Sequence, residues 1–141
     1  MEEGFVKVTP DKERAISIMK MVDTSLELVK SVDAERFSSN VLKDYYDVMR
    51  ELLSITLLLD GLKTQGESAH KKLIEYVGRT YTLLTEHELS LIDDLRIVRN
   101  KIAYDGFFVP SDYLPRNKKA IETVIDKLKR LVNEKLNVGT R

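Results

Sequence analysis

The chain has 141 residues, a length that fits one domain and needs no covalent staples to hold a core. Hydrophobic residues make up 43% and charged residues 33%, the balance of a folded chain with a heavily charged surface, which excludes a disordered one. Lys plus Arg and Asp plus Glu are equal at 23 each, so no net field draws the protein to nucleic acid or membrane, and such binding has to come from a local basic patch.

Residues 1–8 read as an extended lead-in. Thr9-Pro10-Asp11 has the form of a helix start, with a capping hydroxyl, a proline at the first helical position and an acid facing the dipole. Ile16, Met19, Val22, Leu26 and Val29 then recur at three-to-four spacing and predict a first helix ending near Ser31. After a break over 33–39, a second helix is predicted from about Asn40 to Thr64, ending before Gly66. Its first half is two-faced, with Val41, Tyr45, Val48, Met49 and Leu52 opposite Lys43, Asp47, Arg50, Glu51 and Ser54. Its second half, Ile55 to Leu59, is apolar nearly all round and is expected to be covered on all sides.

Residues 67–84 read as a shorter third helix with a loop after Gly78. Thr85-Glu86-His87-Glu88 is a capping box that opens a fourth helix, about Glu86 to Tyr104, closed by Asp105-Gly106. Phe107 to Pro115 is an aromatic connector. A fifth helix, about Arg116 to Leu136, carries the stripe Ile121, Val124, Ile125, Leu128 and Val132, and 137–141 form a fraying tail. No stretch alternates as a strand does, and there are no repeats or interdomain linkers. The expected architecture is all-α: one domain over 1–141, an antiparallel bundle of about five helices.

Cysteine is absent, which removes disulfides, thiolate chemistry and zinc–cysteine sites. His70 and His87 are far apart in sequence, so neither a metal nor another cofactor is expected. No apolar run approaches the roughly 18 residues of a membrane span, and Met1-Glu2-Glu3-Gly4 lacks the layout of a signal peptide. The expected compartment is cytoplasmic.

At about 100° per residue, Leu91, Leu95, Val98 and Ile102 fall on one narrow stripe of the fourth helix. Leu89, Ile97 and Tyr104 fall roughly opposite, beside Asp93 and Asn100. This second, partly apolar side needs a cover, either a second copy of the chain or helix five and the connector. Arg99 borders the core stripe, where a guanidinium is costly unless a carboxylate receives it, and Asp47, Glu51 and Asp105 are the candidates. Arg96 lies toward the opposite side, near Asn100.

Three other features have plain structural readings. The segment 61–66 holds two glycines and Lys63 but does not match a phosphate loop and reads as a helix end and turn. Arg116, Lys118 and Lys119 give helix five a basic start that reads as a solvated face. Among the aromatic residues that could stack on bases, Tyr45 reads as core, and Phe107 and Phe108 as a cap on the bundle end beside Tyr104.

The run Leu95-Arg96-Ile97-Val98-Arg99-Asn100-Lys101-Ile102-Ala103-Tyr104-Asp105-Gly106 resembles the signature segment of the HEPN superfamily. That signature is an arginine, often followed by a polar residue, then a histidine after four to six residues. Arg99 and Asn100 match, and Tyr104 stands where the histidine belongs. Tyr45-Tyr46-Asp47-Val48-Met49-Arg50-Glu51-Leu52-Leu53 resembles the preceding helix of small archaeal HEPN-like proteins, and the helix order over roughly 10–135 agrees.

The resemblance implies a dimeric helical domain. It also implies metal-independent ribonuclease chemistry of the toxin–antitoxin kind, and a possible nucleotidyltransferase-type antitoxin as partner. The tyrosine that such a partner modifies lies two residues beyond the signature histidine, where this chain has Gly106. Tyr104 also alters the chemistry. Histidine exchanges protons near neutral pH, whereas a tyrosine is almost fully protonated there and is a poor base. Arg99 still suits bidentate phosphate recognition. His87 lies about 25 Å along the helix from Tyr104, so no histidine of the same chain is expected to replace the missing one.

The resulting expectation is a dimeric HEPN-like domain that binds RNA or a protein partner at the Arg99–Tyr104 face, with weak or absent ribonuclease activity. One alternative is an active endoribonuclease using Arg99, Asn100 and Tyr104, supported by Asp47, Arg50, Glu51, Arg96 and Asp105. The other is a non-catalytic helical interaction module in which Arg99 is structural.

Overall fold

The computed structural model describes residues 3–137 as a bundle of five helices with one small sheet. Its centre is α2 (Ser38–Leu59), buried over Val41, Leu42, Tyr45, Tyr46, Val48, Met49, Leu52, Leu53, Ile55 and Leu57. A helix apolar round so much of its circumference needs neighbours on most sides. It has four: α1 (Lys12–Ser31), α3 (Ala69–Thr80), α4 (Glu86–Asp105) and α5 (Tyr113–Asn137) all pack against it. Full burial of a Leu- or Ile-sized side chain is worth about 1.5–3 kcal/mol, so this shared core dominates the stability.

Contacts along the helices give their directions. Arg14 and Ile18 of α1 lie beside Ser54 and Leu58, while Leu26 and Lys30 lie beside Tyr45, so α1 runs antiparallel to α2. Lys127 of α5 meets Glu88 at the start of α4, and Tyr113 lies in the field of Asp94, so α4 and α5 are antiparallel. Lys135 bonds Asp60 at the end of α2, and Glu122 and Ile125 lie beside Tyr45 near its start. The two most deeply packed helices, α2 and α5, therefore run in parallel.

Several boundaries differ from the sequence expectation. Asp11, not Thr9, caps α1, its carboxylate accepting from the Arg14 N–H at 3.0 Å. The lead-in is held away from the helix because the Val8 N–H bonds Gly61 O at 2.9 Å. The second helix stops at Leu59 rather than Thr64. Gly61 takes a positive φ of 78°, and a Cβ there would meet Val8 O at 3.2 Å. The chain then pairs as β2 (Leu62–Thr64), antiparallel to β1 (Phe5–Lys7). Three-residue strands are too short to show alternation in a sequence.

The third helix starts at Ala69 and runs past Gly78 to Thr80, and α5 begins three residues early, at Tyr113. Pro115 sits in its first turn, where the absent N–H would have had no partner. Arg116, Lys118 and Lys119 are thus displaced from the helix start. The capping box of α4 is present, with both hydrogen bonds between Thr85 and Glu88, and Gly106 closes the helix with φ 65°. Of the predicted tail only Asn137 is described, and it is helical; 138–141 lie outside the described residues.

Candidate functional site

Arg99 is drawn to α2. Its Nε donates to Asp47 Oδ1 at 3.2 Å, and the two side chains are 21% and 28% exposed. Of the three carboxylates that the sequence offered, only Asp47 is used; Glu51 and Asp105 make no ion pair with it. Arg96, one turn earlier, donates from Nε to Asp93 Oδ1 at 2.9 Å. Arg50, one turn beyond Asp47 on α2, is half-buried and makes no hydrogen bond or ion pair among the described residues.

The field of these arginines reaches a residue that the sequence did not place with them. His70 is the second residue of α3, and its ring lies 6.5 Å from that of Tyr46, centroid to centroid. Its pKa is held below the ordinary histidine value, by desolvation first and then by Arg50, Arg99 and Arg96, with Asp47 acting against them. The buried Tyr46 phenol is pushed up to about 12 by burial, although the same three arginines pull it down. Two independent groups thus feel the same three guanidinium charges. The cluster is assembled from α2, α3 and α4, and its arginines outnumber the two carboxylates paired with them. Guanidinium forks of this kind suit the oxygens of phosphate or carboxylate.

On the far side of Asp47 the charge reverses. A groove of about 180 Å³ is lined by Ser25, Leu28, Asp44, Asp47, Val48 and Glu51. Burial raises the carboxyls of Asp44 and Glu51 above the usual range, and the neighbouring Asp47 adds to this.

Arg99, Asn100 and Tyr104 do not come together. Five residues on a helix turn the direction by about 140°, and Tyr104 points into solvent, 78% exposed, with no side-chain hydrogen bond among the described residues. Asn100 is half-buried and bonds neither of them. The second side of α4 is only partly covered. Leu89 packs on α3, where a Cβ at Gly78 would come within 2.8 Å of its Cδ1. Ile97 stays exposed, so neither α5 nor the connector provides the expected cover. Phe107 and Phe108 do not cap the bundle; Phe108 is 83% exposed, and Val109 and Leu114 turn inward instead. Tyr45 is buried, as its helical spacing indicated.

Neither histidine stands at the signature position, but one of them lies in the field of the arginines. His87 remains remote at the opposite end of α4, but His70 arrives from another helix. No sequence spacing could report this, because Arg96 and Arg99 lie 26 and 29 positions after His70, beyond a separate turn.

Comparison with known proteins adds nothing to the geometry: the chain matches no protein-family model, no curated protein and no solved structure.

Proposed function

We propose that this chain is a HEPN-like helical domain that binds RNA through phosphate contacts at Arg50, Arg96 and Arg99, and that its ribonuclease activity is weak or absent. The observation that supports this most is the convergence of three arginines from two helices, one of which makes no ion pair among the described residues. Phosphate contacts from such a patch work without a net basic charge on the whole chain. Tyr104 and Phe108 are exposed aromatic faces on which bases can stack. Tyr104 is solvated and apart from the cluster, which argues against it as the proton-transfer group. Pairing with a second copy through the uncovered side of α4, around Ile97 and Tyr104, belongs to the same reading.

The active-ribonuclease reading gains support from one observation. A histidine held largely neutral at physiological pH beside arginines has the makings of a general base. In that version His70, not Tyr104, takes the role.

Binding of a short single-stranded RNA, measured by fluorescence anisotropy over a salt series, tests the proposal. The affinity is expected to fall steeply with salt and to drop about tenfold in Arg99→Ala with the circular dichroism unchanged. Salt-insensitive binding, or binding indifferent to Arg99, sinks it. RNA incubated with protein and chelator separates the two versions: cleavage lost in both Arg99→Ala and His70→Ala establishes the nuclease, and intact RNA excludes it.

A further inference from the structure

The arginine cluster holds one group whose charge changes near neutral pH. His70, on α3, is faced by Tyr46, Asp47 and Arg50 from α2 and by Arg96 and Arg99 from α4, with Asp93 paired to Arg96. Partial desolvation and then the charges of Arg50, Arg99 and Arg96 oppose an imidazolium there, and the Asp47 carboxylate favours it. A phosphodiester among the guanidinium groups reverses this balance. It brings a permanent negative charge to within reach of the ring and leaves the imidazolium free to donate a hydrogen bond to a phosphate oxygen.

We infer that His70 is a fourth, proton-gated contact of the Arg50/Arg96/Arg99 site, so that a bound phosphodiester draws a proton onto its imidazole and acidification tightens binding. The inference rests on the reading of this cluster as an RNA backbone site. Linkage makes the two effects one: if the anion favours the protonated ring, protonation favours the anion by the same factor. A unit charge added a few ångströms from a phosphate at a half-solvated site corresponds to roughly a tenfold change in affinity.

The probe is a fluorescent 2′-O-methyl oligouridylate, which cannot be cleaved through a 2′-hydroxyl and whose phosphates and bases do not titrate between about pH 5 and pH 8. Anisotropy titrations at constant ionic strength are expected to show affinity rising roughly tenfold from pH 8 to pH 5. In His70→Gln the ratio of the affinities at pH 5 and pH 8 is expected to fall to about one, whatever the affinity at pH 8. His87→Gln, at the far end of α4, leaves the profile unchanged. Calorimetry in two buffers of different ionisation enthalpy is expected to show proton uptake on binding in the native protein and none in His70→Gln.

A pH dependence that survives in His70→Gln overturns the inference, because another group is then responsible. A flat native profile, with binding still lost in Arg50→Ala, overturns it while leaving the RNA site standing. Absence of binding at every pH overturns the site itself and the inference with it.

Discussion

Two polar clusters hang on α2, one at its end and one near its middle, and they are built from similar parts. At the end, Asp60 accepts hydrogen bonds from Tyr76 at 2.9 Å and Tyr81 at 2.5 Å, and also from Lys135. Lys135 additionally donates to the Tyr81 hydroxyl at 2.6 Å. One carboxylate meets three donors drawn from α3, α5 and the segment after α3, and β1 covers the group through Phe5 against Tyr76. Near the middle, Asp47 holds one arginine, Asp93 holds another, and Arg50 and His70 are left beside them. The first cluster is closed, with each donor committed to a partner inside the protein. The second has donor capacity left over and faces solvent through His70. The difference between the closed cluster and the open one is stoichiometry and cover, not residue type.

The sharpest way to break this comparison is to remove the central acid of each cluster. Asp60→Ala strands Lys135 and two phenols in a part-buried setting and is expected to cost about 2–3 kcal/mol in urea denaturation, at the low end for a buried pair because water still reaches it. Asp47→Ala is expected to cost at most about 1 kcal/mol, since its pair with Arg99 is partly solvated. Freed from Asp47, Arg99 should bind the RNA probe several-fold more tightly. Equal destabilisation by the two substitutions would show that the clusters are not different in kind.

Next in size is the effect of Arg50. Because it makes no hydrogen bond or ion pair among the described residues, it is expected to contribute little to the fold: Arg50→Ala should shift stability by less than about 0.5–1 kcal/mol while lowering RNA affinity roughly tenfold. Large destabilisation with unchanged binding would assign the arginine to structure.

The pH limbs should separate the clusters as well. Tyr76 is pushed up to about 12 by burial and then by its bond to Asp60, Tyr81 is raised for the same reasons, and Lys135 is raised because its bonds to Asp60 and Tyr81 outweigh burial. Raised folded values mean that the folded state holds these protons longer than the unfolded chain does. This stability is therefore complete below pH 10 and is lost as pH climbs toward 12. A Tyr76→Phe variant is expected to show a shallower alkaline limb in thermal melts.

His70 gives the smaller, opposite effect. Its folded value is lowered, so the stability linked to it is present above about pH 6.5 and declines on acidification. His70→Gln is expected to flatten this part of the acid limb in the RNA-free protein. If the acid limb is the same in both proteins, His70 does not sit in the positive field described here.

The sequence by itself determined the helices whose signals are local. The Thr85–Glu88 capping box, the stop at Gly106 and the three-to-four stripe of α5 depend on residues within one or two turns and are present; the α1 stripe holds at Met19, Val22 and Val29, whereas Ile16 is exposed and Ala15 is buried instead. It also isolated Arg99 as a charge at a core border in need of a carboxylate, because helix angles alone put it there, and it included Asp47 among the three candidates. It misplaced the end of α2, because Gly61 and Gly66 look alike in sequence and only the pairing of Phe5–Lys7 with Leu62–Thr64 selects the earlier one.

Tertiary structure alone decided what surrounds Arg99. Tyr104 is close in sequence, but helix rotation turns it outward. His70 is distant in sequence, yet the packing of α3 against α2 and α4 brings it to the arginines. Local sequence fixes direction on a single helix, but the meeting of side chains from three helices depends on how their buried faces interlock, and no residue spacing records that.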